Sequence, residues 1–351
     1  MTDTIRAGVI GYGLAGRIFH TAVIEATPGL ELAAVVQRTG DEAARTYPKI
    51  KLYRSVEGLL ADSSIRLIVV ATPSYSHFEV AEQCLRAGRD VVIDKPFTLT
   101  SEEAAKLIFL AREKNRLLSV YQNRRWDGDF KTVQQIIASE KLGRLVTFES
   151  HFDRFRPEPR LQVWRESGGP GGGTLFDLGS HLIDQALTLF GQPERIFASV
   201  RMDREHAVAD DAFDITLFYP KLTAYLRATT LACAPGARFT LHGTNGSFVK
   251  FGLDPQEDAL KSGATFETHG FGHEPESHWG TLYLEKAAPA KIKTEVGDYR
   301  GYYANVRDAL LGNAALAVTP EQGWRTARII ELARESSNQG RVLPVDFSSR
   351  P

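Results

Sequence analysis

The first third of the chain alternates short apolar runs with amphipathic stretches of helical period. The runs are rich in β-branched residues and uninterrupted, which is typical of strands buried on both faces of a parallel sheet. Between them, Ser101 to Lys114 has one apolar face, with Thr100 or Ser101 available as the cap. This alternation predicts a doubly wound parallel sheet. The predicted strands are Ala7–Ile10, Leu32–Val36, Leu67–Ala71, Asp90–Ile93 and Leu117–Tyr121.

Near residue 123 the pattern changes to segments in which apolar and polar positions alternate. One more helical stretch, Phe130 to Glu140, precedes them, and a last helix begins at Pro320. Period-two alternation predicts a second domain on a largely antiparallel sheet, and Asn245-Gly246 predicts a hairpin within it. The domains would cover residues 1–122 and 123–351. The predicted strands are Arg144–Phe152, Ile196–Met202, Ala212–Tyr219, Leu222–Thr230, Phe239–His242 and Ser247–Phe251.

Composition narrows the class of protein. The 351 residues are 43% hydrophobic and 24% charged, which suits a soluble protein of two domains. A net charge of −1 gives no electrostatic case for binding nucleic acid or an anionic membrane. Two cysteines cannot form a disulfide framework, and Met1 to Arg6 shows no secretory signal. We therefore expect a soluble, cytoplasmic protein with neither nucleic-acid nor membrane partners.

A glycine-rich loop follows the first predicted strand and opens a helix. Its sequence is Gly11-Tyr12-Gly13-Leu14-Ala15-Gly16. In a dinucleotide-binding loop the first glycine allows a tight turn, the second admits a pyrophosphate, and the third lets helix and strand pack closely. The helix amino end then offers free N–H groups to the anion. We expect Gly11, Gly13, Leu14, Ala15 and Gly16 to contact a nicotinamide dinucleotide; the alternative is a glycine turn in an unrelated α/β protein.

The end of the second strand bears on the choice of cofactor. An NAD-selective site usually has an acid here for the ribose 2′-hydroxyl, but this chain offers Arg38 and has no acid before Asp41. A guanidinium matches a 2′-phosphate in shape and charge. The sequence therefore predicts NADP over NAD, with NAD still possible. Alternatively, Arg38 is a solvated loop residue, and Gln37 or Thr39 accepts either cofactor.

Ligands of open α/β sheets lie outside the carboxyl ends of the strands. Thr72, Pro73 and His77 follow one such strand end, so we predict that they contact the cofactor. For His77, a place in the first helical turn without any ligand is an equally reasonable interpretation. Asp94 and Lys95 follow the next strand and are predicted cofactor contacts too.

Lys95 is also the first candidate catalytic residue. A lysine at this edge can donate a hydrogen bond to a substrate hydroxyl and stabilise a developing alkoxide. The alternative is an ordinary surface lysine, but a position beside a cofactor site favours the catalytic interpretation.

A second catalytic segment follows the glycine run 168–173. Asp177, His181 and Asp184 are spaced for one helical face. Histidine can take a proton from an alcohol as hydride leaves, and Asp177 could orient the imidazole. The alternatives are a solvated helix face and a metal site, the latter less favoured because nicotinamide chemistry needs no Lewis acid. The glycine run itself predicts a close approach to ligand or a mobile entry loop.

Further side chains suit a ligand rich in hydroxyl groups. Polyols are recognised by planar polar groups beside an aromatic wall, and three segments offer both. The alternative for any single arginine is an interdomain salt bridge. The predicted cofactor contacts here are Asn123 and Arg124, and the predicted substrate contacts are Arg124, Trp126, His151, Asp153, Trp164, Asp177 and His181.

These motifs resemble the glucose–fructose oxidoreductase / inositol dehydrogenase (Gfo/Idh/MocA) family. The resemblance rests on GYGLAG, ATPSYSH, GGGTLFDLGSHLIDQ and DKP, where the family usually reads EKP. It implies a Rossmann domain and a C-terminal α/β domain whose large open sheet mediates dimers or tetramers. It also implies that Lys95, Asp177 and His181 form the catalytic set, with Asp94 in place of the usual glutamate.

Within the family, three segments look closest to the NADP-dependent scyllo-inositol dehydrogenase-like branch: QNRRWDGDF, SHFDRFRP and GSFVKFGLDPQEDAL. Members of that branch also lack the acid after the second strand. The expected activity is interconversion of a secondary alcohol and a ketone on a cyclic polyol or sugar, without a metal. The expected assembly is a homodimer or homotetramer. Redox-assisted glycoside cleavage and a non-enzymatic sugar sensor are the alternatives, but an intact catalytic set argues against a sensor.

Overall fold

The chain folds around two separate β-sheets, each covered by helices. A computed structural model describes residues 4–234 and 236–348. The first sheet has six parallel strands in the order β3-β2-β1-β4-β5-β6, which is the doubly wound order. Its strands are β1 (Ile5–Ile10), β2 (Leu30–Val36), β3 (Lys51–Tyr53), β4 (Leu67–Val70), β5 (Asp90–Asp94) and β6 (Leu118–Tyr121).

Helices join these strands and cover both faces of the sheet. A π-helical turn, Gly16–Thr21, precedes the first α-helix directly after β1. The longest helix here begins with a capping box, in which Thr100 and Glu103 bond each other's backbone N–H groups. The helices of this part are α1 (Ala22–Glu25), α2 (Glu42–Thr46), α3 (Val56–Leu60), α4 (His77–Arg86) and α5 (Ser101–Glu113).

The second sheet has nine strands and is mostly antiparallel. One internal pair, β7 with β10, is parallel, so the sheet is mixed. The hairpin predicted at Asn245-Gly246 joins β11 to β12. The strands are β7 (Leu145–Asp153), β8 (Arg195–Arg201), β9 (Ala212–Phe218), β10 (Thr223–Thr229), β11 (Phe239–Gly243), β12 (Gly246–Lys250), β13 (Gly280–Leu284), β14 (Ala290–Ile292) and β15 (Leu343–Pro344).

One face of the second sheet is buried beneath helices. Phe148, Ser150 and Phe152 of β7 point to that face and are at most 1% exposed, whereas Glu149 and His151 are partly exposed on the other face. The helices of this half are α6 (Gly128–Ala138), α7 (Ser180–Phe190), α8 (Gln256–Lys261), α9 (Arg300–Leu310) and α10 (Pro320–Gln339).

The two sheets are tied together by the C-terminal helices. Helix α10 packs against α5 and β6 of the first sheet and against β8 of the second, and α9 contacts α1. The predicted fold class is confirmed, since a parallel Rossmann sheet stands beside a mainly antiparallel one. The boundary at residues 122 and 123 stays a prediction. No helix within residues 4–234 and 236–348 is long and apolar enough to cross a bilayer.

Candidate active site

The glycine loop after β1 has the shape that a dinucleotide requires. Gly11 has φ +103°, and a Cβ there would lie 2.6 Å from the carbonyl oxygen of Ala71. A Cβ on Gly16 would lie 2.0 Å from the Gly11 carbonyl oxygen, so turn and helix pack in contact. A Cβ on Gly13, by contrast, would meet nothing within 4 Å. The open space therefore lies at the position where the pyrophosphate is expected to approach, and the loop fits the cofactor.

This difference between glycines gives a prediction. We expect Gly13→Ala to keep the thermal midpoint of the wild type but to weaken NADPH binding, because its methyl enters only the open space. The matched variant Gly11→Ala should lower stability by about 1–3 kcal/mol, because its backbone is left-handed and its methyl clashes. Thermal unfolding and fluorescence titration of NADPH measure the two effects separately. Unchanged NADPH affinity in Gly13→Ala would place the pyrophosphate elsewhere.

Arg38 lies just after the end of β2. Arg38 is exposed, and within residues 4–234 and 236–348 nothing forms an ion pair or a side-chain hydrogen bond with it. The nearby acids are already engaged, since Asp41 binds Arg45 and Glu42 binds Gln37. Arg38 is thus available to an anion.

His77 does not have the role of cofactor contact that the sequence suggested. The ring is 1% exposed, with Nδ1 2.8 Å from the Pro96 carbonyl oxygen and Nε2 2.9 Å from that of Thr72. Burial lowers the pKa of His77, so the ring is neutral and donates to one of the two carbonyls. It fixes the segments after β4 and β5 relative to each other. Thr72 and Pro73 themselves remain partly exposed at the sheet edge.

Lys95 and Asp177 meet at the same edge of the first sheet. Lys95 Nζ donates to Asp177 Oδ1 at 2.9 Å and to the Asp177 backbone oxygen at 2.6 Å. Burial alone would raise the pKa of Asp177, but Lys95, Arg165 and Arg154 together hold it below its ordinary value. The carboxylate is therefore ionised and fixes the lysine amine. Asp177 was expected to orient His181; instead it holds Lys95.

His181 lies in the first turn of α7 and is 4% exposed. Burial, together with the charges of Lys95 and Arg124, holds the pKa of His181 well below its ordinary value. The imidazole is therefore neutral at physiological pH and can accept a proton. Among the described residues none forms a hydrogen bond with its buried Nδ1.

The predicted polar stripe on one helical face is only partly present. The segment Leu175–Gly179, which carries Asp177, is π-helical, and the following residues are α-helical. Asp184 binds Arg125, with Oδ1 2.6 Å from Nη2 and Oδ2 2.8 Å from Nε. Asp184 therefore forms a structural ion pair and is separate from the Lys95–Asp177 pair. π-Helical turns of this kind are frequent at functional sites.

Two arginines outside the set of predicted contacts complete the site. Arg154 Nη1 lies 3.9 Å from Asp177 Oδ2, and Arg165 Nε lies 3.5 Å from Oδ1. Arg124, which was predicted, stacks 4.8 Å from the Phe152 ring and pairs with Glu257 of α8. Alternation along β7 could have indicated Arg154, because it continues the inward face of Phe152. Glu257 is brought in by long-range folding and had no local signal.

Two predicted substrate contacts face away from this site. His151 and Asp153 lie on the partly exposed face of β7, opposite the inward Phe152. His151 Nδ1 lies 3.7 Å from Asp153 Oδ2, and His151 Nε2 lies 3.4 Å from Glu149 Oε2. Because neighbouring side chains of a strand point to opposite faces, His151 and Asp153 lie on the face of β7 that is turned away from Asp177 and His181. The prediction that His151 and Asp153 contact the substrate is therefore corrected.

The other predicted contacts are divided between the site and the core. Trp126 packs against Gly301 and lies edge-on to Tyr302 at 5.5 Å, so it belongs to the packing of α9. Asn123 is buried beside Arg124. Trp164 does lie near the site, because Arg165 stacks 4.6 Å from its ring while it pairs with Asp177.

The glycine run 168–173 is explained by contacts within the protein. Gly171 has φ +75°, and a Cβ there would lie 2.3 Å from Ser74 Oγ, just after β4. Gly173 has φ +93°, and its Cβ would lie 2.2 Å from Asp210 Oδ1. These glycines let the segment that carries Asp177 pack closely on both neighbours.

Two family models match nearly the whole chain. One, described as an oxidoreductase family with an NAD-binding Rossmann fold, matches residues 5–122. The other, described as the C-terminal alpha/beta domain of the same oxidoreductase family, matches residues 134–347. The chain belongs to the Gfo/Idh/MocA oxidoreductase family. The expected family and the expected enzyme class are confirmed.

Gfo/Idh/MocA relatives match over their full length. The oxidoreductase YdgJ of Escherichia coli (strain K12) is 42% identical over 98% of this chain and 99% of its own. IolW of Bacillus subtilis (strain 168), named scyllo-inositol 2-dehydrogenase (NADP(+)), is 39% identical over 98% of this chain and 97% of its own. Among solved structures, the oxidoreductase yvaA from Bacillus subtilis has a TM-score of 0.95 at 38% identity, covering 99% of both chains.

Proposed function

We propose that this oxidoreductase interconverts a secondary alcohol and a ketone on a cyclic polyol or sugar, with NADP as its cofactor. The observation that carries the proposal is the convergence of Lys95, Asp177 and neutral His181 beside the glycine loop. The similarity to the protein named scyllo-inositol 2-dehydrogenase supports a cyclitol-like substrate. A homodimer or homotetramer in the cytoplasm remains part of the proposal.

The site's own groups account for the proton and for the charge on oxygen. When bound beside these residues, the nicotinamide ring would supply its C4 as the acceptor or donor of a hydride. His181 takes the hydroxyl proton during oxidation, because burial keeps its imidazole unprotonated. Lys95, held by Asp177, donates a hydrogen bond to the reacting oxygen and stabilises its developing negative charge. Arg154 and Arg165 add positive potential at the same place.

Substrate class is tested by a spectrophotometric screen at 340 nm. Inositol isomers, aldoses and their keto derivatives would be combined with each nicotinamide cofactor. We expect turnover with a cyclitol or sugar and with NADP(H). A wild-type enzyme that turns over no member of the panel in either direction would contradict the proposal.

Cofactor choice gives a second prediction, at Arg38. We expect Arg38→Ala to raise the KM for NADP by about tenfold or more, the loss of one charged phosphate contact, while the KM for NAD changes little. The matched variant Arg86→Ala removes an exposed arginine that is paired with Glu82 on α4, away from β2, and should change neither value. Equal effects of Arg38→Ala on both cofactors would remove the phosphate-binding role.

A further inference from the structure

A buried polar contact lies directly beneath the catalytic lysine and has no part in the proposed reaction. His20, from the π-helical turn after the glycine loop, is completely buried. Its Nδ1 lies 2.6 Å from the hydroxyl of Tyr303 on α9, and its Nε2 lies 3.6 Å from Oδ1 of Asp94. The ring of Tyr121 on β6 lies 4.5 Å from the His20 ring, tilted by 51°. The contact thus joins the cofactor-binding turn, the end of β5 and the C-terminal half of the chain.

The surroundings determine which ring nitrogen of His20 carries the proton. Nε2 is buried, and the charged group it faces is the carboxylate of Asp94. A lone pair directed at a buried carboxylate would be repelled, so the proton belongs on Nε2. Nδ1 then accepts from the Tyr303 hydroxyl at 2.6 Å. By donating to Nδ1, Tyr303 stabilises the form of His20 that attracts Asp94.

Asp94 connects this contact to Lys95. Its Oδ1 accepts the backbone N–H of Lys95 at 2.9 Å, and the residue is 7% exposed. The same oxygen is the one that faces His20. Because both groups approach the same oxygen in a nearly dry environment, His20 and the Lys95 N–H together hold the Asp94 side chain in one rotamer. The orientation of the residue that carries the catalytic amine therefore depends on His20.

We propose that His20 is a positioning residue for Lys95, acting through Asp94 and held in the required tautomer by Tyr303. The proposal rests on the proposed function, because it takes Lys95 as the group that binds the reacting oxygen. His20 itself touches neither substrate nor cofactor. The contact links the packing of the π-helical turn against the end of β5 to the placement of the lysine amine.

The test compares His20→Leu with His20→Gln in the NADPH-bound protein. Leucine removes the donor, whereas the glutamine amide can still donate toward Asp94. We expect Lys95 to be acylated by a water-soluble acetylating reagent about fivefold faster in His20→Leu, because its contact with Asp177 loosens when one buried polar contact is lost. Peptide mass spectrometry gives this rate without any turnover. The glutamine variant should return the rate toward that of the wild type.

Turnover gives a second readout. We expect kcat in His20→Leu and in Tyr303→Phe to fall about fivefold with little change in the KM for NADPH, and to recover in His20→Gln. Tyr219→Phe, which removes a hydroxyl far from Lys95, is the matched control and should change neither readout. An unchanged rate of Lys95 acylation in His20→Leu would overturn the proposal. Equal losses of kcat in His20→Leu and His20→Gln would overturn it as well. A wild type without turnover on the whole panel would refute the proposed function alone, because the acylation rate still decides the role of His20.

Discussion

Replacing His181 with alanine should abolish most turnover while leaving the cofactor bound. The proton acceptor would be lost, and a general base typically contributes 10²- to 10⁴-fold, so we expect kcat for alcohol oxidation to fall by about that factor. The ring sits among Lys95, Arg124 and Arg238, and its removal leaves the glycine loop untouched. NADPH affinity, measured by fluorescence titration, should therefore stay near that of the wild type.

The control is His269→Ala, which removes an exposed histidine from a loop and should keep wild-type kcat.

The wild-type pH profile adds an independent check. Because the pKa of His181 is lowered, oxidation should keep its rate as pH falls through 6.5, the ordinary histidine value. Ketone reduction needs the imidazolium, so its rate should rise as pH falls. Unchanged turnover in His181→Ala would rule out the role of proton acceptor.

The fold could be predicted from the sequence because its main signals are local. Unbroken β-branched runs marked five of the six strands of the first sheet, and alternation marked six of the nine strands of the second, β7 to β12. The missing strand of the first sheet, Lys51–Tyr53, has three residues and no apolar run, so its pairing with β2 is fixed by the sheet and not by its own pattern. The parallel pairing of β7 with β10 likewise depends on chain connections that periodicity does not report.

The sequence indicates which residue types belong to the candidate site, but it does not indicate which of these residues touch each other. Lys95 and Asp177 are 82 positions apart, and their ion pair exists only because two domains meet at one sheet edge. Packing within the first sheet's own half of the chain directs His77 onto backbone carbonyls of the segments after β4 and β5. For His151 the residue type suggested sugar binding, but the strand pleat directs the side chain to the opposite face. Side-chain direction depends on the fold, and a residue type alone does not report it.

Removing the amine of Lys95 should have the second large effect. We expect Lys95→Met to lower kcat by about 10²- to 10³-fold, the usual contribution of one donor aimed at a developing oxyanion. The Lys95 charge also helps to lower the pKa of His181, so its loss should raise that pKa. Since oxidation needs neutral His181, the acid limb of the residual activity should move to higher pH.

Lys106→Met is the matched control for this variant. It removes an exposed lysine that is paired with Glu102 on α5 and should leave both kcat and the acid limb unchanged. The kcat value and the position of the acid limb report on two different roles of Lys95. Stabilisation of the substrate oxygen affects kcat at every pH. The electrostatic effect of Lys95 on His181 changes only the pH at which the acid limb occurs. If kcat falls strongly but the acid limb stays at the same pH, Lys95 stabilises the substrate oxygen, and its charge does not influence the protonation of His181. Full turnover in Lys95→Met would remove Lys95 from the catalytic set, and the stabilising charge would then have to come from Arg154 or Arg165, which share its carboxylate.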